Sequence, residues 1–159
     1  MSKGKICGQY VNSVLAKREA LKAGYAEAIL LDNNGLVAEA SGENIFVVKN
    51  GAIITNDASA DILMGVTRDT MLQLAKDLGI RTDVRTVTVD DLMTADELFF
   101  SGTAVEVTAI REIDGHIVSG GKPGLVTQRI QQTFEAAVRG NRPEYRKWLS
   151  FARQAVSHV

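Results

Sequence analysis

Three stretches of the sequence repeat their apolar residues at the three-to-four-residue spacing of an amphipathic α-helix. They are residues 10–23, 67–78 and 123–138. Gly24 and Gly79 directly follow the first two stretches, where glycine commonly ends a helix. Thr67 is the predicted N-cap of the second helix, and Pro123 suits the first turn of the third. A helical turn over residues 89–94 and a short helix over residues 145–151 are also predicted.

Short apolar runs separated by turn residues fill the middle of the chain. The turns contain Asn33-Asn34-Gly35, Asn50-Gly51 and Asp114-Gly115, and Asn-Gly and Asp-Gly pairs are strong local signals of a β-hairpin. Hairpins join antiparallel strands, so the sheet is expected to be antiparallel and the fold class α+β. The predicted strands are residues 26–31, 36–39, 44–48, 52–54, 84–87, 97–101, 105–113 and 116–118.

Length and composition narrow the class of protein. With 159 residues, the chain is long enough for a single domain with a buried core. Its 18 basic and 19 acidic residues give no electrostatic reason to expect nucleic acid or an anionic membrane as a partner. No apolar run approaches the roughly 20 residues of a membrane helix, and Cys7 is the only cysteine. We therefore expect a cytoplasmic protein whose partners are small molecules or other proteins.

Periodicity alone predicts no chemistry, because zinc-ligand spacing, a Ser/His/Asp arrangement and a Walker phosphate loop are all absent from the sequence. Four short motifs carry the argument further. They are Lys5-Ile6-Cys7-Gly8-Gln9-Tyr10, Glu39-Ala40-Ser41-Gly42-Glu43-Asn44-Ile45-Phe46, Leu63-Met64-Gly65-Val66-Thr67-Arg68 and Phe100-Ser101-Gly102-Thr103-Ala104-Val105-Glu106. In this order they resemble the signatures of the fold-type IV pyridoxal-phosphate enzymes, and of branched-chain aminotransferases in particular. That family's large domain is a mainly antiparallel sheet or pseudo-barrel flanked by helices.

The resemblance implies pyridoxal 5′-phosphate as the cofactor and assigns residues to its ring. Lys5 matches the lysine that forms the Schiff base and later moves a proton at the substrate α-carbon. Tyr10 matches the donor to the phenolic oxygen of the coenzyme. Glu39 matches the carboxylate that keeps the pyridine nitrogen protonated, and Leu63 would pack on the ring face.

The coenzyme phosphate is assigned to two places. Val66 would donate its amide and Thr67 its hydroxyl, at the start of a predicted helix where unpaired N–H groups and the helix dipole favour an anion. Thr103 would bind the phosphate from a second turn. The backbone amides near Thr103 and Ala104 would face the substrate carboxylate. No metal is implied.

Each of these residues also has an ordinary structural explanation. Lys5 and Glu39 taken singly are typical of solvated surface charges, and Thr67 is a good helix N-cap. Glu43 and Asn44 fit either a turn that fixes Glu39 or direct contact with the coenzyme. The functional assignment therefore depends on all four motifs together.

The implied activity is amino-group transfer from leucine, isoleucine or valine to 2-oxoglutarate. Members of the family carry a small N-terminal domain before the lysine, and nothing in this sequence corresponds to it. Residues 1–159 are thus expected to form a single C-terminal coenzyme-binding domain that associates with the missing domain or forms a homo-oligomer. Alternatives are a D-amino-acid aminotransferase, an aminodeoxychorismate lyase, or a catalytically inactive domain that serves as a folding or binding module.

Overall fold

The structure is a computed structural model that describes residues 3–151. The α-helices in this range are α1 (Tyr10–Lys22), α2 (Val66–Asp77), α3 (Val89–Met93) and α4 (Leu125–Val138). The strands are β1 (Ile29–Leu31), β2 (Val37–Ala40), β3 (Asn44–Lys49), β4 (Ala52–Thr55), β5 (Thr82–Val84), β6 (Glu97–Gly102), β7 (Glu106–Ala109), β8 (Glu112–Ile113) and β9 (His116–Ile117). Short 3-10 helices cover Cys7–Gln9, Ser119–Gly121 and Pro143–Trp148.

The main sheet has five strands in the order β5-β4-β3-β6-β7, and β1–β2 and β8–β9 form separate two-stranded ribbons. All described strand pairs are antiparallel except β4–β5, which is parallel. The α+β class with a mainly antiparallel sheet is therefore confirmed. The strand predicted at 84–87 was misplaced, because it lies at Thr82–Val84. Helix α2 crosses over between β4 and β5, and such a crossover makes the two strands parallel.

Two of the predicted hairpin turns have the expected backbone. Asn50 and Gly51 both adopt positive φ, at 50° and 72°, and Asp114 and Gly115 do so at 46° and 83°. Positive φ at both central residues is the property of a type I′ turn, whose twist matches that of the flanking strands. The second turn joins β8 to β9, and the predicted strand 105–113 is divided into β7 and β8.

The core lies on both faces of the central strands β3 and β6. On one face, α2 and α4 cover a cluster in which the rings of Phe46 and Phe99 stack at a centroid distance of 4.8 Å. On the other face, Ile45, Leu98 and Phe100 pack against residues of β2 and α3. Strands covered on both faces have no solvent-facing positions, which explains why these segments are continuous apolar runs in the sequence.

Helix α2 begins earlier than predicted. Its N-cap is Gly65 rather than Thr67, and the first intrahelical bond runs from the N–H of Asp69 to the carbonyl of Gly65 at 3.0 Å. A Cβ atom at position 65 would lie only 2.3 Å from Oδ1 of Asn44, so glycine is required there by space rather than by its φ of −66°. Thr67 is consequently the second residue of the helix.

Helix α4 is attached to the sheet by a carboxylate from β6. Glu97 is 8% exposed and accepts hydrogen bonds from the backbone N–H groups of Val126 at 3.0 Å and Thr127 at 2.7 Å. A carboxylate at this end of a helix is favoured by the helix dipole. The helix follows Gly124 rather than opening at Pro123 as predicted. Glycine is favoured at position 124, because a Cβ there would lie 2.0 Å from Cδ of Glu97.

The chain after α4 docks through one aromatic residue. Tyr145 is 5% exposed, donates from its hydroxyl to Asp77 of α2 at 2.9 Å, and stacks on Trp148 at a centroid distance of 4.5 Å. The short helix predicted over 145–151 is a 3-10 helix over Pro143–Trp148, since Pro143 suits the first turn.

Helix α1 ends one residue earlier than predicted, at Lys22, and buries none of its residues. Its apolar side chains Val11, Val14, Leu15 and Leu21 are each more than half exposed, between 53% and 62%. The apolar stripe predicted from the sequence therefore faces outward from the described part of the chain. Among residues 3–151, the helices are too short or too polar to cross a membrane.

Candidate active site

A cleft of about 640 Å³ lies where the four sequence motifs meet, and its volume is in the range of small-molecule sites. Residues of α1, the β2–β3 turn, the N-terminus of α2 and the turn after β6 line it. Ala104 is the one predicted site residue that does not line this cleft. The predicted residues that do are Lys5, Tyr10, Glu39, Leu63, Val66, Thr67 and Thr103.

Glu39 is half-buried in β2 and is held by two donors. Its Oε2 accepts hydrogen bonds from Nδ2 of Asn44 at 3.0 Å and from the backbone N–H of Leu63 at 3.1 Å. The same Asn44 Nδ2 donates to the Leu63 carbonyl at 2.8 Å. One buried amide thus joins β2, β3 and the loop before α2, and it fixes the carboxylate of Glu39. Of the two sequence interpretations of Asn44, its support of Glu39 is the one the geometry shows.

Burial raises the pKa of Glu39 from 4.5 to about 7. The hydrogen bond from Leu63 and the positive charge of Lys5 act in the opposite direction, and the neighbouring charge of Glu43 raises the pKa further. A carboxyl with this pKa is only partly ionised at neutral pH. A cationic group beside it in the cleft would restore the ionised form, because an opposite charge within a few ångströms favours ionisation.

Glu43, at the side of the cleft, lies beside a second carboxyl group, that of Glu27. Burial, followed by the negative charge of Glu27, raises the pKa of Glu43. Burial opposes ionisation of Glu27 as well, but hydrogen bonds from Lys17 and Ser41 keep the pKa of Glu27 below its ordinary value. Lys17 lies 2.6 Å from the Glu27 carboxylate. Glu43 therefore acts on Glu39 through its charge, whereas Asn44 acts through contact.

The N-terminus of α2 opens into the cleft. Gly65, Val66 and Thr67 line it, and the N–H groups of a first helical turn have no partners within the helix. Together with the helix dipole, these donors form a place for an anion. Thr103, in the turn after β6, lines the same cleft.

Lys5 and Tyr10 lie at the edge of the cleft. Lys5 is exposed, and its Nζ donates to the Tyr10 hydroxyl at 3.3 Å and lies 5.7 Å from the centre of the tyrosine ring. Tyr10 is half-buried as the first residue of α1. The structure thus places an amine and a phenol side by side, in the same cleft as Glu39.

Two polar residues near the site, Ser101 and Arg68, are given no role of their own by the sequence. Ser101, at the end of β6, lines the cleft and is 1% exposed, and its Oγ has no hydrogen-bond partner within residues 3–151. Arg68 is 2% exposed and donates to the Asn56 carbonyl at 2.6 Å. Burial lowers the pKa of the Arg68 guanidinium. No local pattern indicates either feature, since serine and arginine are usually exposed.

The buried Arg68 ties the start of α2 to the sheet through Asn56. The Asn56 side chain donates to the carbonyls of Val37 at 2.8 Å and Ala38 at 2.7 Å, and accepts from the N–H of Val87 at 2.9 Å. These bonds connect α2, β2 and the segment after β5 beneath the cleft. As for metals, residues 3–151 contain no group of three or more His, Cys, Asp or Glu side chains that could hold one.

Comparison with protein families finds that residues 3–113 match the family described as Amino-transferase class IV. Among similar curated proteins, the probable branched-chain-amino-acid aminotransferase of Aquifex aeolicus is 47% identical over 150 residues, which are 94% of this chain and 48% of the relative. The branched-chain-amino-acid aminotransferase of Escherichia coli strain K12 is 42% identical over 150 residues, again 94% of this chain and 48% of the relative.

The similar solved structures are also branched-chain aminotransferases. The branched-chain aminotransferase of the archaeon Thermoproteus uzoniensis, with norvaline, matches with a TM-score of 0.90 at 43% identity and covers 94% of this chain and 49% of that one. The branched-chain amino acid aminotransferase of Thermobaculum terrenum, in its PLP form, matches with a TM-score of 0.91 at 38% identity. The match covers 94% of this chain and 49% of that one. The chain spans about half the length of the relatives it matches.

Proposed function

The chain belongs to the class IV aminotransferase family, and from this premise we propose that it is the coenzyme-binding half of a pyridoxal-phosphate-dependent branched-chain aminotransferase. The reaction would transfer the amino group of leucine, isoleucine or valine to 2-oxoglutarate. The single observation that carries the proposal is Glu39, a carboxylate fixed by Asn44 and Leu63 in the same cleft as an amine and an open helix N-terminus.

The residues present fit the coenzyme. The half-buried carboxyl of Glu39 lacks a cationic partner at hydrogen-bond distance within residues 3–151, and a protonated pyridine nitrogen would supply one. The N-terminus of α2, with Val66 and Thr67, offers donors to a phosphate, and Thr103 adds a hydroxyl. Lys5 would hold the aldehyde carbon covalently, and Tyr10 would donate to the phenolic oxygen.

The bound coenzyme supplies a ring that withdraws electrons from the substrate α-carbon. The residues of this chain would control protons and orientation around it. Lys5 Nζ would remove the proton from the substrate α-carbon as general base and would donate it to carbon C4′ of the coenzyme as general acid. Glu39 would hold the proton at the ring nitrogen, and the hydrogen bond from Asn44 would fix the orientation of the Glu39 carboxylate.

The substrate class is supported by the relatives. All the proteins compared above carry the branched-chain name, and the Thermoproteus uzoniensis structure contains norvaline, an unbranched aliphatic amino acid. These similarities favour branched-chain amino acids over the D-amino-acid aminotransferase and aminodeoxychorismate lyase alternatives. A cytoplasmic location agrees with the single cysteine, Cys7.

We further propose that protein outside these 159 residues completes the substrate pocket, either as the other half of the family's fold or within a homo-oligomer. Support comes from the half-length match to the relatives and from the exposed apolar side chains around the cleft, including Ile6 at 56%, Met64 at 43% and Val66 at 85%. Apolar groups on this scale commonly mark an interface.

Absorbance tests the proposal most directly. The purified chain, titrated with pyridoxal 5′-phosphate, should give a yellow adduct that borohydride reduces, and peptide mapping should locate the label on Lys5. We expect binding in the micromolar range or weaker for this chain alone, about −8 kcal/mol or less favourable. A colourless protein that never forms the adduct would support the inactive-module alternative.

Turnover is the second part of the test. Leucine, isoleucine and valine with 2-oxoglutarate should give little or no product with the chain alone. Adding the remaining half of a relative, such as the Aquifex aeolicus protein, should tighten coenzyme binding and raise turnover. Full turnover without that addition would contradict the proposal that outside protein completes the pocket.

A further inference from the structure

Helix α1 turns a polar side toward the rest of the described chain. Partial burial recurs along the helix at steps of three or four residues, and the half-buried residues are Tyr10, Ser13, Ala16, Lys17 and Ala20. The apolar side chains lie between them and are exposed, as described above. An amphipathic helix is usually attached to its domain by its apolar stripe. Within residues 3–151, α1 must therefore be attached in another way.

An ion pair between Lys17 and Glu27 makes this attachment. Lys17 Nζ donates to Glu27 Oε2 at 2.6 Å, and the Glu27 side chain is only 14% exposed. The second carboxylate oxygen, Oε1, accepts from the backbone N–H of Ala28 at 2.9 Å, directly before β1. Ser41, in the turn between β2 and β3, also hydrogen-bonds to Glu27. One carboxylate thus joins α1 to β1 and to a turn on the cleft wall.

Lys17 serves two carboxyl groups at once. Its hydrogen bond to Glu27, together with the negative charges of Glu27 and Glu43, raises the pKa of the Lys17 amine, so the amine is a cation at neutral pH. Without Lys17, two neighbouring carboxyls that are partly withdrawn from water would lose the cation between them and repel each other. The Lys17–Glu27 pair is therefore more than an exposed surface contact.

The attachment acts on the reactive end of the helix. Tyr10 and Lys17 lie on the same side of α1, because residues seven positions apart are separated by about two helical turns. Tyr10 is the first residue of the helix and accepts the hydrogen bond from Lys5 Nζ at 3.3 Å. The 3-10 helix over Cys7–Gln9 runs directly into α1. A shift of α1 would thus move Lys5 and Tyr10 together, relative to Glu39 on β2.

We propose that Lys17 and Glu27 are positioning residues, whose ion pair holds α1 so that Lys5 and Tyr10 face the coenzyme. The inference rests on the proposed function, since it takes Lys5 as the amine that reacts with pyridoxal 5′-phosphate. Neither Lys17 nor Glu27 lines the cleft, so their effect on the coenzyme passes through the helix.

The test measures the attachment of α1 and the reactivity of Lys5 separately, in the full chain. Lys17→Met removes the charge and keeps a long side chain with good helix propensity. Because α1 buries none of its residues, losing a contact that shifts the equilibrium about tenfold should reduce the attached fraction about threefold. Amide hydrogen exchange within α1 of the ligand-free chain should therefore quicken about threefold, with β3 and β6 unchanged. The apparent affinity for pyridoxal 5′-phosphate, read from the borohydride-reduced adduct on Lys5, should fall by about the same factor.

Matched variants separate the ion pair from general effects of charge. Lys17→Arg keeps a cation within reach of Glu27 and should restore both exchange and affinity. Arg18→Met removes the neighbouring exposed charge of the same helix and should change neither. Glu27→Gln still accepts from the N–H of Ala28 but should behave like Lys17→Met. The double variant should be no worse than either single one, as expected for two residues that act through one contact.

The outcomes distinguish this inference from the proposed function. Unchanged amide exchange of α1 in Lys17→Met would overturn the inference, whatever happens to the adduct. Faster exchange with unchanged affinity for pyridoxal 5′-phosphate would also overturn it, because α1 would then not set the position of Lys5. Equal losses in Lys17→Met and Arg18→Met would overturn it too, since they would reflect the charge of the helix. A wild-type chain that forms no adduct on Lys5 would instead overturn the proposed function.

Discussion

The floor and the rim of the cleft are built in different ways. The floor consists of Glu39, Asn44 and Ser101, which lie on β2, β3 and β6 and are half-buried or buried. The rim is formed by α1 and the segment before it, with an exposed Lys5, and α1 buries none of its residues. The floor is held by tertiary contacts on both sides of the sheet, whereas the rim is held by few.

This difference separates two requirements of the proposed chemistry. A carboxylate that faces a ring nitrogen must keep its place, and Glu39 is fixed by hydrogen bonds from two other segments. An amine that holds a carbonyl carbon and later moves a proton needs freedom, and Lys5 makes one weak hydrogen bond to Tyr10 at 3.3 Å. Substitutions in the rim should therefore change chemistry without changing stability, and substitutions in the floor should change both.

The largest effect is expected in the rim, at Lys5. Lys5→Ala should abolish the borohydride-reducible adduct with pyridoxal 5′-phosphate while the melting temperature stays within about a degree or two, since surface substitutions shift stability by under about 0.5 kcal/mol. Lys5→Arg should behave alike, because a guanidinium stays protonated. Lys3→Ala is the matched control and should keep the adduct. An undiminished adduct in Lys5→Ala would remove this lysine from the site.

The next largest effect is expected in the floor, at Glu39. Glu39→Gln should retain coenzyme binding but slow the single-turnover half-reaction with leucine at least a hundredfold, which corresponds to roughly 3 kcal/mol of barrier. The rate is best measured in the protein with its other half restored. Glu43→Gln, which changes a second carboxyl of the same cleft, should slow the reaction by less than about tenfold. Similar rates for wild type and Glu39→Gln would refute the ring-nitrogen assignment.

Glu39 should also make stability depend on pH in the ligand-free chain. Its pKa is raised from 4.5 to about 7, so the folded state binds more protons than the unfolded state between these values. Its stabilising contribution is therefore present below about pH 4.5 and is lost as the pH rises through 7. Relative to Glu39→Gln, wild type should lose up to about 3 kcal/mol of unfolding free energy over this window, at about 1.4 kcal/mol per pKa unit. Denaturant titrations at several pH values measure it, and parallel pH curves would show that Glu39 is not buried as described.

A smaller effect is expected where the floor meets α2. Gly65→Ala places a Cβ 2.3 Å from Oδ1 of Asn44, so the amide or the helix start must shift. We expect a loss of about 1–3 kcal/mol in unfolding free energy, as for other overpacked sites, together with weaker coenzyme binding. Gly8→Ala, in the rim, has no atom within 4 Å of the new Cβ and should change stability by less than about 0.5 kcal/mol. Equal losses in the two variants would contradict the contrast between floor and rim.

Local signals in the sequence predicted much of the fold. Asn50-Gly51 and Asp114-Gly115 require positive φ at two successive residues, and the structure has it. Helix α1 was predicted with nearly its observed bounds, because apolar spacing is a property of the segment itself. The parallel position of β5 could not be predicted in this way, since it depends on how α2 crosses the sheet.

In the candidate site, too, local motifs predicted some features, and contacts between distant segments determine the others. The resemblance located Glu39, Thr67 and Thr103 in one cleft, because those residues lie within recognisable motifs. The buried state of Arg68 and the unpaired hydroxyl of Ser101 arise from contacts between distant segments, which no spacing rule contains. The start of α2 at Gly65 rather than Thr67 likewise depends on Asn44, 21 positions earlier in the chain.

The contact between Asn44 and Gly65 has an evolutionary consequence. Each residue restricts which amino acids the other position can hold. A side chain at position 65 would clash with Asn44 in its present place, and the Asn44 side chain occupies the space that is free because residue 65 is glycine. A lineage that replaces one must pass through a poorly packed intermediate or change both. The two positions are therefore expected to be inherited as a pair, and descendants that lose the glycine should have lost the asparagine too.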